Sequence, residues 1–263
     1  MKTIDLGEWT CSYLDAGAGE TIVLLHGFPL NKSMWTFQID HLAQSHRVIA
    51  PDLRGHGESA VSEGIVTMRQ MADDVSRLLD ALNIDCRVRL CGLSMGGYVA
   101  WEFWRNHSNR LAKLILCDTR AVSDTDEIAR GRRMMASQVV DTGVDFVADS
   151  MLPKLVSPKS CEDQPELVAT LRRMILATDP QGIAAAQRGM AERIDMTPML
   201  HDVTTPALLL CGTDDIISPP AEMSKISQSM PNALFVEIQG AGHLAPMEQP
   251  LATNEAIQRF LAS

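Results

Sequence analysis

The run Cys91-Gly92-Leu93-Ser94-Met95-Gly96-Gly97 places a serine inside the pattern G-x-S-x-G. An apolar run at 87–91 precedes it, and a stretch with helical spacing at 95–107 follows. A serine on so abrupt a strand-to-helix turn sits in a strained backbone conformation. Side chains two positions to either side would collide there, so Gly92 and Gly96 are required. The strain lifts the hydroxyl to where a base can reach it. The chemistry implied is nucleophilic attack by Ser94.

A serine hydroxyl is a poor nucleophile until a base takes its proton. His243, in Gly240-Ala241-Gly242-His243 after the last apolar run, is the candidate base, and the glycines keep its loop slim. Such a base needs a carboxylate to orient it. Asp214 and Asp215 follow the run at 207–211, and Asp118 follows the run at 113–117; the residues alone leave all three open. Attack on an acyl carbon creates an oxyanion that requires two fixed N–H donors. The amide of Met95, at a helix start, is one. Phe28, in His26-Gly27-Phe28-Pro29, supplies the other. Trp35 lies just beyond, placed either to line the acyl pocket or to anchor that loop. His26 reads as a loop brace rather than a base. Asp52, His56 and Ser59 share one short loop, too close in sequence for a catalytic set, and read as structural.

These residues need a scaffold. Strand-like runs fall at 8–14, read as an edge strand, and at 21–25, 47–50, 87–91, 113–117, 207–211 and 234–238. The stretch 67–82 carries Met68, Met71, Ala72, Val75, Leu78, Leu79 and Leu82 on one helical face, with Thr67 as N-cap. Strands alternating with helices imply a parallel sheet covered on both faces. Between about 120 and 205 the pattern changes to amphipathic helices, the clearest at 166–178, punctuated by prolines. Methionines 134, 135, 151, 174, 190, 196 and 199 lie in this stretch and are expected mostly to fill its own core.

At 263 residues the chain can bury a full core. Its formal charge of −10 argues against nucleic acid and against an anionic membrane surface. The N-terminal residues lack the apolar core of a signal peptide, and no run is long and apolar enough to span a bilayer, so a cytoplasmic protein is expected. Six cysteines without a C-x-x-C pair read as buried, reduced thiols; neither a disulfide framework nor a metal site is expected.

Five blocks together resemble the α/β-hydrolase superfamily over nearly the whole chain: residues 26–29, 52–59, 92–97, 212–219 and Gly242-His243. The finer pattern is similar to small esterases of the 3-oxoadipate enol-lactonase and cofactor-free haloperoxidase (perhydrolase) type. The resemblance implies a mostly parallel eight-stranded sheet with helices on both faces. It implies a core of residues 1–119 and 206–263 with a helical cap at 120–205. The family spacing places the triad acid at Asp215 and the oxyanion donors at Phe28 and Met95. The implied activity is hydrolysis of a small-molecule carboxylic ester or lactone through an acyl-enzyme on Ser94, without cofactor or metal. Perhydrolysis, C–C bond hydrolysis and acyl transfer use the same constellation, and a non-catalytic ligand receptor on the same fold is the alternative outside catalysis.

Overall fold

The computed structural model describes residues 2–263. Eight strands form one sheet in the order β1-β2-β4-β3-β5-β6-β7-β8. They are β1 (Lys2–Asp5), β2 (Thr10–Ala16), β3 (Thr21–Leu25), β4 (Arg47–Pro51), β5 (Val88–Leu93), β6 (Leu111–Cys117), β7 (Ala207–Gly212) and β8 (Ala233–Ile238). β1 and β2 run antiparallel to their neighbours, and the other pairings are parallel. Every residue of β3, β5 and β7 is buried, as expected for strands covered on both faces. The stretch read as the edge strand is β2, which lies one place in. The edge belongs to β1, whose Lys2, Thr3 and Asp5 are exposed and give no apolar signal.

The direction of chain travel sets where helices go. From β3 through α1 (Thr36–Leu42) to β4 the chain moves one way along the sheet; from β4 through α2 (Met68–Ala81) to β5 it moves back past β3. Right-handed crossovers in opposite directions put α1 and α2 on opposite faces. Accordingly α1 packs with α11 (Pro250–Ala262), and α2 packs with α3 (Met95–His107). Thr67 caps α2 by accepting the Gln70 N–H at 3.1 Å, and the face from Met68 to Leu79 is buried. Each large apolar side chain so buried contributes about 1.5–3 kcal/mol. The reversal also opens a crevice between the C-terminal ends of β3 and β5, the place where ligands bind in open α/β sheets.

Between β6 and β7 the chain forms α4 (Asp126–Thr142), α5 (Asp145–Leu155), α6 (Pro158–Asp163), α7 (Pro165–Leu176) and α8 (Pro180–Met190), and no strand. Its methionines divide: Met190 and Met196 are buried, while Met134 is 72% exposed. The cysteines divide too. Cys11, Cys91, Cys117 and Cys211 are buried as expected, but Cys86 and Cys161 are exposed, because both lie outside the strands. α9 (Pro220–Gln228) and α10 (Ala245–Glu248) complete the helices used below.

Candidate active site

Ser94 occupies the turn between β5 and α3 with φ 52° and ψ −111°. Such a conformation is unfavourable for any residue with a Cβ. Close contacts enforce it. A Cβ on Gly92 would stand 2.2 Å from the Gly96 carbonyl oxygen, and one on Gly96 would stand 2.2 Å from that of Leu25. The Ser94 N–H donates to Cys117 O at 3.0 Å, and Thr119 Oγ1 donates to Ser94 O at 2.8 Å. The backbone of Ser94 is therefore clamped from the end of β6.

His243 follows β8 on a buried turn and is 2% exposed. Its Nδ1 lies 2.8 Å from Asp215 Oδ2, and its Nε2 lies 2.8 Å from Ser94 Oγ. Asp215 follows β7; its Oδ1 accepts from Ile217 N at 2.7 Å and Ser218 N at 3.0 Å. Burial pushes this carboxyl up, but the His243 imidazole and the two amides outweigh it and hold it below its ordinary value. An ionised Asp215 can only accept, so His243 Nδ1 carries the proton. Nε2 is then left as an acceptor aimed at the Ser94 hydroxyl.

The sequence candidates fall as follows. Ser94, His243 and Asp215 form one continuous chain of hydrogen bonds. Met95 opens α3. Phe28 lies on the loop after β3, and a Cβ on its neighbour Gly27 would stand 3.5 Å from Ser94 Cβ, so this loop borders Ser94. Trp35 does not line an open pocket: it is fully buried in the apolar core and anchors the segment after that loop. Asp118 does not reach His243. Its Oδ1 accepts from Gly212 N at 2.8 Å, its Oδ2 is buried without a partner, and burial followed by the Asp215 charge pushes its carboxyl well up.

His26 braces the loop, as its position suggested. Its Nε2 accepts from Leu53 N at 2.9 Å, and its Nδ1 lies 3.0 Å from Gly27 O. The 52–59 loop is likewise held by local bonds, with Ser59 Oγ donating to Asp52 O at 2.7 Å and Glu58 N to Asp52 Oδ2 at 2.9 Å. Residues without a sequence signal also converge here. Lys32 Nζ pairs with Asp52 at 2.5 Å, Thr178 Oγ1 donates to Pro29 O at 2.8 Å, and Glu248 braces the turn carrying His243. Composition and spacing reveal none of these, because Lys32 meets a carboxylate, and Thr178 and Glu248 meet backbone groups, that only folding brings within reach. A cleft of about 590 Å³ opens between the 33–37 segment and α7, with Met34, Phe37, Leu167, Met174 and Met247 among its walls.

Among the described residues, Asp118, Cys211 and Asp215 form the group whose ligand atoms lie within 4.8 Å of one another. Asp215 is committed to His243 and two amides, and Cys211 Sγ donates to Ser218 O at 3.2 Å. Burial pushes the Cys211 thiol up, away from the thiolate a metal needs. A cation here would have to dismantle those bonds. Among the described residues, no helix is long and apolar enough to cross a membrane.

This strand order, the serine on its strand-to-helix turn and the histidine after the last strand define a hydrolase scaffold. A family model described as alpha/beta hydrolase fold matches residues 20–250, and the chain belongs to that family. A 3-oxoadipate enol-lactonase of Acinetobacter baylyi is 28% identical over 98% of this chain and 96% of its own. Among solved structures, a thermophilic esterase from Thermogutta terrifontis is 45% identical, with TM-score 0.96 over 97% of this chain and 93% of that one. The enol-lactonase from Burkholderia xenovorans is 29% identical, with TM-score 0.93 over the whole of both chains.

Proposed function

We propose that this protein is a serine hydrolase that cleaves a small-molecule carboxylic ester or lactone through an acyl-enzyme on Ser94. The observation that carries the reading is the chain from Ser94 Oγ through His243 to Asp215, each link 2.8 Å. Ser94 Oγ attacks the acyl carbon as its proton passes to His243 Nε2. The amides of Phe28 and Met95 receive the oxyanion. Collapse breaks the ester bond, and the imidazolium gives its proton to the departing alkoxide. Asp215 stabilises the imidazolium throughout. Water then attacks the acyl-enzyme with His243 again as base, and Ser94 is released. The likeness to an esterase and to enol-lactonases supports the choice of ester and lactone. In this reading the helices between β6 and β7 form the cap over the crevice.

The test is hydrolysis of p-nitrophenyl esters from acetate to decanoate, and of a small lactone. Ser94→Ala serves as control and is expected to lose on the order of 10⁶-fold in kcat. Wild-type turnover that survives in the variant, or no wild-type turnover on any ester or lactone, overturns the reading.

A further inference from the structure

Glu248 is 3% exposed, and no step of the proposed hydrolysis uses it. It ends α10, five residues beyond His243. Its Oε1 accepts from Gly242 N at 2.8 Å and from Leu244 N at 3.3 Å, the two residues flanking the base. Its Oε2 accepts from Ser157 N at 2.8 Å. Ser157 sits at the α5–α6 junction, in the helical segment between β6 and β7. One buried carboxylate therefore joins the turn that carries His243 to the helices above it. Charge-assisted bonds of this kind are stronger than neutral ones, and an abandoned buried donor is costly.

We infer that Glu248 is a positioning residue for His243, and that through the Ser157 N–H it couples the helical segment to the base. The inference rests on the reading of His243 as general base. Proton transfer from Ser94 needs the imidazole within hydrogen-bond reach, and the ring is carried by backbone that Glu248 fixes on both sides. A second contact follows the same seam, with Gln164 Nε2 donating to Glu248 O at 3.3 Å. Glutamine is not conservative here. Its Nε2 would face either the Ser157 N–H or the Gly242 and Leu244 N–H groups, donor against donor.

Backbone geometry offers a clean test. Ser157 has φ −63° and ψ 153°, which proline adopts, and Val156 before it is extended at φ −122° and ψ 155°. Ser157→Pro removes the N–H to Glu248 together with the hydroxyl. Ser157→Ala removes only the hydroxyl, which caps α6 by accepting Ser160 N and lies 3.1 Å from Gly240 O. The hydroxyl's loss is common to both variants, so their difference reads the lost N–H together with the ring carbon that replaces it beside Gly242, and Glu248→Gln, which adds no bulk, separates the two. Relative to Ser157→Ala, Ser157→Pro is expected to lose about tenfold in kcat on a p-nitrophenyl ester, the scale of a small displacement of a catalytic group. KM should stay within about twofold, because no ester-binding contact is removed. The rate of Ser94 labelling by a fluorophosphonate should fall in parallel with kcat. Glu248→Gln should reproduce the split and serves if Ser157→Pro does not fold. Equal kcat in the two Ser157 variants, or a loss confined to KM, overturns the inference while leaving the hydrolase reading standing. A wild-type protein that neither turns over an ester nor takes the label overturns both.

Discussion

The neighbouring strands β6 and β7 each lead into a buried aspartate, and the two exits do opposite work. At the β6 exit, Asp118 has one accepted N–H, from Gly212, and an oxygen with no partner. Burial, then the charge of Asp215, pushes it well up and favours its neutral form. Its neighbours Cys117 and Thr119 clamp the backbone of Ser94 instead. At the β7 exit, Asp215 is also buried, but an imidazole and two amides are aimed at it and hold it down. Both are buried aspartates just past a strand end, Asp118 directly after β6 and Asp215 three residues after β7. The number of donors pointed at each carboxylate decides which one carries charge.

The largest effect that could break this comparison is on turnover. Asp215→Asn is expected to lose about 10⁴-fold in kcat, because the amide no longer fixes the imidazole tautomer or stabilises the imidazolium. Asp118→Asn should leave kcat close to wild type, since asparagine copies the shape and hydrogen bonding of a neutral carboxyl. Steady-state kinetics on one ester decides between them, and a reversed order would move the orienting role to the β6 exit.

A smaller effect separates the exits by packing. Gly212, at the end of β7, lies so close to the turn carrying His243 that a Cβ would stand 2.1 Å from Gly242 O and 2.4 Å from Ala241 O. The β6 exit carries a cysteine at the corresponding strand end and tolerates its side chain. Gly212→Ala should therefore cost about 1–3 kcal/mol of stability, the usual range for overpacking, and lower kcat by displacing the base. Urea unfolding measures the first and ester hydrolysis the second. An unchanged midpoint would mean that the turn is free to move away.

The same contrast explains what the sequence could reveal. The elbow was legible because strain at Ser94 demands glycine at 92 and 96, and that demand is written locally. The buried strands were legible as apolar runs, with ends shifted by one or two residues where polar residues such as Arg87 flank them. β1 was not legible, because an exposed edge strand is held by pairing with β2 and needs no apolar face. Asp118, Asp214 and Asp215 were indistinguishable as residues; what separates Asp118 from Asp215 is the approach of a loop 28 residues beyond Asp215. Trp35 could not be decided from sequence, because a large aromatic near the site can line a pocket or join the core, and only its burial separates the two. Glu248 and Thr119 escaped because their partners are backbone atoms, which carry no residue-type signal, and two of them, Ser157 N and Ser94 O, come from distant segments.

The smallest effect expected is on the pH dependence of stability, and its sign is opposite at the two exits. Asp215 has a lowered value in the fold, so it adds stability above the ordinary carboxylate range and withdraws it as pH falls. Two histidines act in the same direction. Burial holds His26 and His56 neutral, with His56 pushed down to about 3 from its ordinary 6.5, so the unfolded chain binds more protons as pH falls through that window. Asp118 runs the other way. Its value is raised in the fold, so above the ordinary carboxylate range the folded protein holds a proton that the unfolded chain has released. Stability is then lost as pH rises. Asp118→Asn removes that term alone and leaves the Asp215 and histidine terms in place. The difference in melting temperature, variant minus wild type, should be smallest in acid and grow more positive toward neutral pH. A difference that is flat with pH would mean that Asp118 titrates alike in the folded and unfolded chain, and one that falls toward neutral pH would mean that it is held ionised as Asp215 is.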